Sequence, residues 1–271
     1  MPDCMPPRER RRGEHDAMDR TLERLAKMFY SPERYRQRWI EREYNRFREQ
    51  SRQSVFLSIA VFCYHNQPLN GWYFEFGSHT ARTMRAAWDA FHVLYDWKYA
   101  AFDSFEGLPA LEEIDRMPIW RRGALKTSEE DFIRTVVRHG MPRQKLFTVK
   151  GFYDQSLNEE TKKRFLPERA AVLYVDCDLY QSTVPVLAFA KDFFQRGTVL
   201  VFDDWFCFHG DPRRGQRRAF SEFRERYPSL RFEQFVHTNE IQAFIYLGDA
   251  IDESSHVFAG QVAVAGHYKN E

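Results

Sequence analysis

The chain has 271 residues, with 40 Lys plus Arg against 39 Asp plus Glu, and a formal charge of +1 gives no global reason to expect nucleic acid or an acidic membrane as partner. No apolar run approaches the roughly 18 residues of a membrane span, and the opening MPDCMPPRERRRGEHD lacks the apolar core of a signal peptide, so a cytoplasmic protein is expected. The length suits one α/β domain with an extension, and the scattered Cys4, Cys63, Cys177 and Cys207 show no zinc-ligand spacing and read as free thiols.

In chain order, residues 1–14 carry prolines and arginines with little to bury and read as a disordered tail. Residues 15–66 read as a helical extension. Ser31 and Pro32 look like an N-cap and first helical residue, and Tyr35, Trp39, Ile40, Tyr44 and Phe47 then fall along one face. Such a stripe predicts docking against a core or a second subunit, or part of a substrate lid. From 67 to 248 short apolar runs alternate with helical stretches. The predicted strands are 72–76, 99–102, 146–150, 171–175, 198–202, 231–236 and 242–247, and Thr127 or Ser128 with Asp131 predicts a capped helix start. Alternation through the first five strands predicts a mostly parallel sheet covered on both faces, and the short link HTNEI predicts an antiparallel last strand. Residues 249–271 form a tail with little periodicity.

Ligands of an open parallel sheet bind beyond the carboxyl ends of its strands. After the first strand, EFGSHTARTMRAA sets Glu75 and Gly77 before a helix containing Thr83. The glycine lets backbone approach a ligand, although a plain strand-to-helix turn would read the same, and no phosphate-loop lysine follows. Asp103, after the second strand, either accepts ribose hydroxyls or caps a helix. Gly151, Phe152 and Tyr153, after the third, offer a flat apolar wall for an adenine, or are ordinary loop aromatics.

The fourth and fifth strands end in YVDCDLY and VLVFDDWF, which deliver Asp176, Asp178, Asp203 and Asp204. If the two strands are neighbours, three or four carboxylates converge, and like charges so gathered repel unless a cation sits among them. An all-oxygen set suits Mg²⁺, Mn²⁺ or Ca²⁺ rather than zinc. The competing reading is that each Asp caps the turn or helix that follows it.

The blocks EFG, FDSFEGLP, KGFYDQSL, VDCDLYQST and VFDDW, in this order over roughly residues 70–247, resemble the macrocin-type O-methyltransferases of macrolide and aminocoumarin biosynthesis. The resemblance implies an α/β class I (Rossmann-like) methyltransferase fold. Its sheet would be seven-stranded and mostly parallel with an antiparallel last strand, and an N-terminal helical extension would help close the site and build homodimers or higher oligomers. It implies S-adenosylmethionine and Mg²⁺ (or Mn²⁺) as cofactors and, as acceptor, a hydroxyl of a small molecule such as a sugar or glycosylated natural product.

Carried over, Asp176, Asp203 and Asp204 would ligate the metal and Asp178 would be the general base. Glu75, Phe76, Gly77 and Thr83 would line the methionine end of the cofactor, with Asp176 beside it. Asp103 and Ser104 would meet the ribose, and Gly151 and Phe152 the adenine. Trp120, Trp205, Phe206 and His209 follow or face the metal ligands and are candidates for the acceptor pocket, His209 also reading as an exposed loop residue. The chain departs from the family in having Ala81 and Arg82 where glycines are common, and Leu179 where some relatives have a lysine or histidine base. Two rivals stay open: a non-catalytic binding protein of this fold, and Mg²⁺-dependent phosphoryl chemistry.

Overall fold

The computed structural model describes residues 31–66 and 69–249. The tails expected at 1–14 and 249–271, apart from Asp249, and residues 15–30 of the expected extension lie outside them. The chain divides into two compact units, one ending at Gln50 and one beginning at Ser51.

In the first unit, helix α1 (Pro32–Trp39) starts as its sequence dictates: the Ser31 hydroxyl accepts the Arg34 N–H at 3.3 Å, and Pro32 takes the first helical position. A π-helical turn (Ile40–Tyr44) follows, then α2 (Asn45–His65), of which the part from Ser51 onward belongs to the second unit. A π turn carries more residues than an α turn and so rotates every later side chain about the axis. Tyr35, Trp39, Ile40, Tyr44 and Phe47 are all exposed.

The second unit is built on one seven-stranded sheet: β1 (Trp72–Phe76), β2 (Lys98–Asp103), β3 (Leu146–Lys150), β4 (Ala170–Val175), β5 (Val199–Phe202), β6 (Leu230–His237) and β7 (Gln242–Asp249). The order is β3-β2-β1-β4-β5-β7-β6, with the first five strands parallel and β7 antiparallel to both β5 and β6. The chain order reverses at β1/β4, which opens a crevice at the carboxyl ends.

The helices are α3 (Arg82–Phe91), α4 (Glu129–His139), α5 (Tyr153–Ser156), α6 (Glu159–Lys163), α7 (Tyr180–Ala190) and α8 (Gly215–Arg226). Ser128 caps α4 by accepting the Asp131 N–H at 3.1 Å.

The central strands read as unbroken apolar runs because both faces are covered. Tyr73, Tyr99, Ala101, Val172, Tyr174, Val199 and Val201 pack with Val55, Phe56 and Ile59 of α2 and Met84 and Phe91 of α3. Phe74, Phe76, Phe102, Leu173, Val175, Leu200 and Phe202 pack with Val186 and Phe189 of α7 and Phe220 and Phe223 of α8. The alternation of side chains therefore sorts the site residues before any detail of the site is considered. Continuing it past the strand ends puts Glu75, Asp176 and Asp203 on the α2 face with Tyr174.

Candidate active site

Strands β2, β1, β4 and β5 end in a staircase of backbone bonds. Gly77 N–H donates to the Phe102 carbonyl at 2.9 Å, Asp176 N–H to Phe76 at 2.8 Å and Asp203 N–H to Val175 at 3.0 Å. Each bond extends the ladder one residue past its strand, so Asp176 and Asp203 are placed by sheet geometry rather than by loop conformation. One carboxylate oxygen from each of Asp176, Asp203 and Asp204 lies within 4.8 Å of the others, with Asp203 and Asp204 buried and Asp176 half-buried.

Three residues that sequence reasoning missed hold this cluster. Arg52, on α2 and 8% exposed, donates Nη2 to both Asp203 oxygens at 3.1 and 3.2 Å and Nε to the Tyr174 hydroxyl at 3.2 Å. The Tyr174 hydroxyl in turn donates to Asp203 Oδ1. Gln216, at the start of α8 and buried, accepts the Asp204 N–H at 3.0 Å and donates to the Val175 carbonyl at 3.0 Å, tying the ends of β4 and β5 together. A signal for Arg52 was present: it lies three, four, seven and eleven residues before Val55, Phe56, Ile59 and Cys63, on the helix face those residues bury. No comparable signal marks Gln216.

Burial, followed by the charges of Asp203 and Asp204, pushes the Asp176 carboxyl well above the usual carboxylate range. Burial also opposes the charge on Arg52, but Tyr174, Asp203 and Asp176 outweigh it and raise the guanidinium pKa. The Arg52 guanidinium thus meets one of three gathered carboxylates. That gathering, and the all-oxygen donor set, fit a hard divalent cation held by Asp176, Asp203 and Asp204.

Asp178 stands beside the cluster in the left-handed region, φ 58°, and its backbone N–H donates to Asp204 Oδ2 at 3.0 Å. Asp adopts this conformation more readily than most side chains. The next helix, α7, has Leu179 at its N-cap, which cannot cap. Asp115, fully buried in the loop after β2, does so from a distance, accepting the N–H groups of Tyr180 at 2.7 Å and Gln181 at 2.9 Å. Arg214 fastens the same loop by donating to the carbonyls of Ile114 and Arg116. The backbone around Asp178 is therefore held from both sides.

At the β1 and β2 ends the pattern differs. Gly77 has φ 91°, and a Cβ there would sit 1.8 Å from the Asp176 carbonyl oxygen, so what demands glycine is the close approach of the chain's own backbone. Asp103 accepts three backbone N–H groups, from Ser78 at 2.7 Å, His79 at 3.4 Å and Phe105 at 2.7 Å. Ser104 closes the same loop, its hydroxyl donating to the Gly107 carbonyl at 2.9 Å. Glu75 is buried with Oε2 accepting from the Tyr73 hydroxyl at 2.8 Å, while among the described residues Oε1 and the Ser78 hydroxyl make no well-formed hydrogen bond. Burial pushes the Glu75 carboxyl up to about 8. Thr83 Oγ1 donates to Asp176 Oδ2 at 3.4 Å, linking this region to the acidic one. Ala81 takes φ 60°, the conformation a glycine would adopt there, and as the N-cap residue of α3 it makes no side-chain cap.

The Phe76 ring stacks on Phe102 in the core, 4.7 Å between centroids, which leaves its backbone to reach the site. Gly151 has φ 140° and its N–H donates to the Asp103 carbonyl, and Phe152 beside it is half-buried. Trp120 packs edge-on against Phe208 at 5.0 Å in a small cluster with Leu108 and Leu179. Trp205 turns inward against Phe202 and Phe244, Phe206 is exposed with the Arg217 guanidinium over its ring, and His209 is exposed. Cys63, Cys177 and Cys207 are free thiols. Among the described residues no helix is long and apolar enough to cross a membrane.

Residues 78–228 match the model of the family described as macrocin O-methyltransferase (TylF). No curated protein matches the chain. Among solved structures, the chain is similar to the O-methyltransferase NovP, with a TM-score of 0.60 and 21% identity over 73% of this chain and 80% of that one. It is also similar to CalS11, a calicheamicin methyltransferase, with a TM-score of 0.56 and 19% identity over 91% of this chain and 95% of that one. At these identities the likeness shows the fold, a Rossmann-like methyltransferase sheet with antiparallel last strands.

Proposed function

Since the chain belongs to the macrocin O-methyltransferase family, we propose that it transfers the methyl group of S-adenosylmethionine to a hydroxyl of a small-molecule acceptor, a sugar or glycosylated natural product. Asp176, Asp203 and Asp204 hold a divalent cation, Mg²⁺ or Mn²⁺, and Asp178 is the general base. The observation that carries this reading is the convergence of three carboxylates at two adjacent strand ends, with a fourth carboxylate on a backbone bonded to one of them. When bound, the cofactor supplies an already electrophilic methyl group and the cation lowers the pKa of a hydroxyl brought against it.

The chain's own residues do the rest. Sheet geometry holds Asp176 and Asp203, Gln216 holds the Asp204 backbone, and the capped start of α7 holds Asp178 where it can take the acceptor proton as the new bond forms. Glu75 Oε1 and the Ser78 hydroxyl, buried and without a well-formed hydrogen bond among the described residues, are suited to a polar ligand at the β1 end, where the methionine part of the cofactor is placed in this reading. Asp103 and Ser104 serve the ribose and Gly151 and Phe152 the adenine. Ala81 already has the conformation of the glycine it replaces, which favours a functional cofactor loop over the non-catalytic alternative. Trp120, Phe206 and His209 border the acceptor. The exposed stripe from Tyr35 to Phe47 supports self-association through the N-terminal helices.

Asp178→Asn tests the assignment of the base. Turnover is expected to fall by about 10²–10⁴-fold while calorimetric affinity for S-adenosylmethionine stays within a few-fold. Undiminished methyl transfer by this variant would remove Asp178 from the mechanism.

A further inference from the structure

Arg52 lies outside every block that carries the family resemblance, yet its guanidinium is bonded to the acidic cluster through Asp203. It reaches the cluster from α2, on the sheet face shared by Tyr174, Asp176 and Asp203, and both Asp203 oxygens accept from it. Asp203 Oδ1 also accepts from Tyr174, so the carboxylate has two kinds of holder: a neutral hydroxyl that fixes its orientation and a guanidinium that adds positive charge. We propose that Arg52 is a built-in countercation sharing Asp203 with the divalent ion. It keeps the three carboxylates assembled when no ion is bound, and by its own charge it holds ion affinity down.

The proposal rests on the metal-binding reading of Asp176, Asp203 and Asp204. Its physical basis is that charge and orientation act in opposite directions. A hydrogen bond to a ligating carboxylate fixes its geometry, so losing it weakens metal binding. A unit positive charge within a few ångström of the ion repels it in a buried site, so losing it strengthens binding. Arg52 supplies both effects, Tyr174 only the first, and the proposal assigns the larger effect of Arg52 to charge. Burial enlarges that charge effect because little solvent screens it.

The test is calorimetric titration of Mn²⁺ into the full-length protein at fixed pH without methyl donor, together with thermal unfolding in EDTA and in saturating Mn²⁺. Arg52→Met is expected to bind Mn²⁺ roughly 10- to 100-fold more tightly than wild type. Its melting temperature should fall in EDTA, where Asp203 loses the Arg52 charge, and rise more on Mn²⁺ addition than wild type's does. Arg52→Lys, which keeps the charge, should stay within about three-fold of wild type, and Tyr174→Phe should weaken binding by about ten-fold.

Equal or weaker Mn²⁺ binding by Arg52→Met, with wild type binding normally, would overturn the proposal and leave the metal site standing. Absence of Mn²⁺ binding in wild type and all variants would overturn both. Should Arg52→Met fail to fold in EDTA, recovery of the folded protein on refolding with Mn²⁺ supports the exchange of one cation for the other, and failure to recover contradicts it.

Discussion

The two halves of the crevice treat their carboxylates in opposite ways. At the ends of β1 and β2, Asp103 is saturated by three backbone N–H groups, and Glu75 is buried with a pKa near 8 and one oxygen bonded to Tyr73. Charge there is either used up in shaping loops or suppressed. At the ends of β4 and β5, three carboxylates are crowded together, one of them paired with Arg52, with Asp176 pushed up by burial and by its neighbours. The first half keeps its carboxylates apart, bonded within its own loops or buried, and is suited to recognising a ligand by shape and a few polar contacts. The second gathers carboxylates closely enough to repel one another, which a bound cation would relieve.

If the acidic half depends on paired buried charge, Asp203→Ala should be the most damaging change to stability, because it leaves Arg52 buried without its carboxylate. A loss of about 3–5 kcal/mol is expected in urea unfolding of the ion-free protein. A loss below about 1 kcal/mol would mean that the pair is not what holds this end together.

Gly77 joins the two halves, and Gly77→Ala would drive a Cβ into the Asp176 carbonyl at a φ that an alanine resists. A cost of ~3 kcal/mol by the same measurement is expected. An unchanged midpoint would show that the two strand ends can separate freely.

Glu75 provides a pH test of the first half. Its carboxyl is raised from 4.5 to about 8 by burial, so the folded state favours the protonated form. Its contribution to stability is complete below about pH 4.5 and is lost as the pH climbs through about 8. Glu75→Gln should therefore flatten the decline of stability between pH 5 and 8 by on the order of 2–3 kcal/mol. Stability curves that run parallel for the two proteins would mean that Glu75 is not buried in the neutral form. Asp103→Asn, which keeps one acceptor oxygen for three donors, should cost only about 1–2 kcal/mol. A cost as large as that of Asp203→Ala would erase the contrast between the halves.

Much of this architecture is legible in the chain. Strands buried on both faces leave uninterrupted apolar runs, so all seven were located to within about two residues, and the Ser31 and Ser128 caps follow from local hydrogen bonding that requires no tertiary contact. The convergence of Asp176, Asp203 and Asp204 follows from strand adjacency, which the alternation of strands and helices predicts. What was not legible depends on contacts between distant segments. Arg52 lies 151 residues from Asp203 and Asp115 lies 65 from Tyr180; helix spacing marks Arg52 as facing inward, but nothing nearby in sequence pairs either residue with its partner. Trp205 follows the acidic pair, and the contact of its ring with Phe202 and Phe244 is not marked by the residues around it. The π turn at Ile40–Tyr44 is also invisible to a helical reading of the Tyr35–Phe47 stripe.

Mass spectrometry over a panel of sugar, glycoside and phenol acceptors, run with S-adenosylmethionine in Mg²⁺ and in EDTA, tests the central claim most directly. A mass gain of one methylene on a hydroxyl-bearing acceptor, seen in Mg²⁺ and abolished in EDTA, is predicted. Equal product in EDTA would contradict the metal role of the three aspartates, and failure of the protein to bind S-adenosylmethionine in either buffer would contradict the assignment as a methyltransferase.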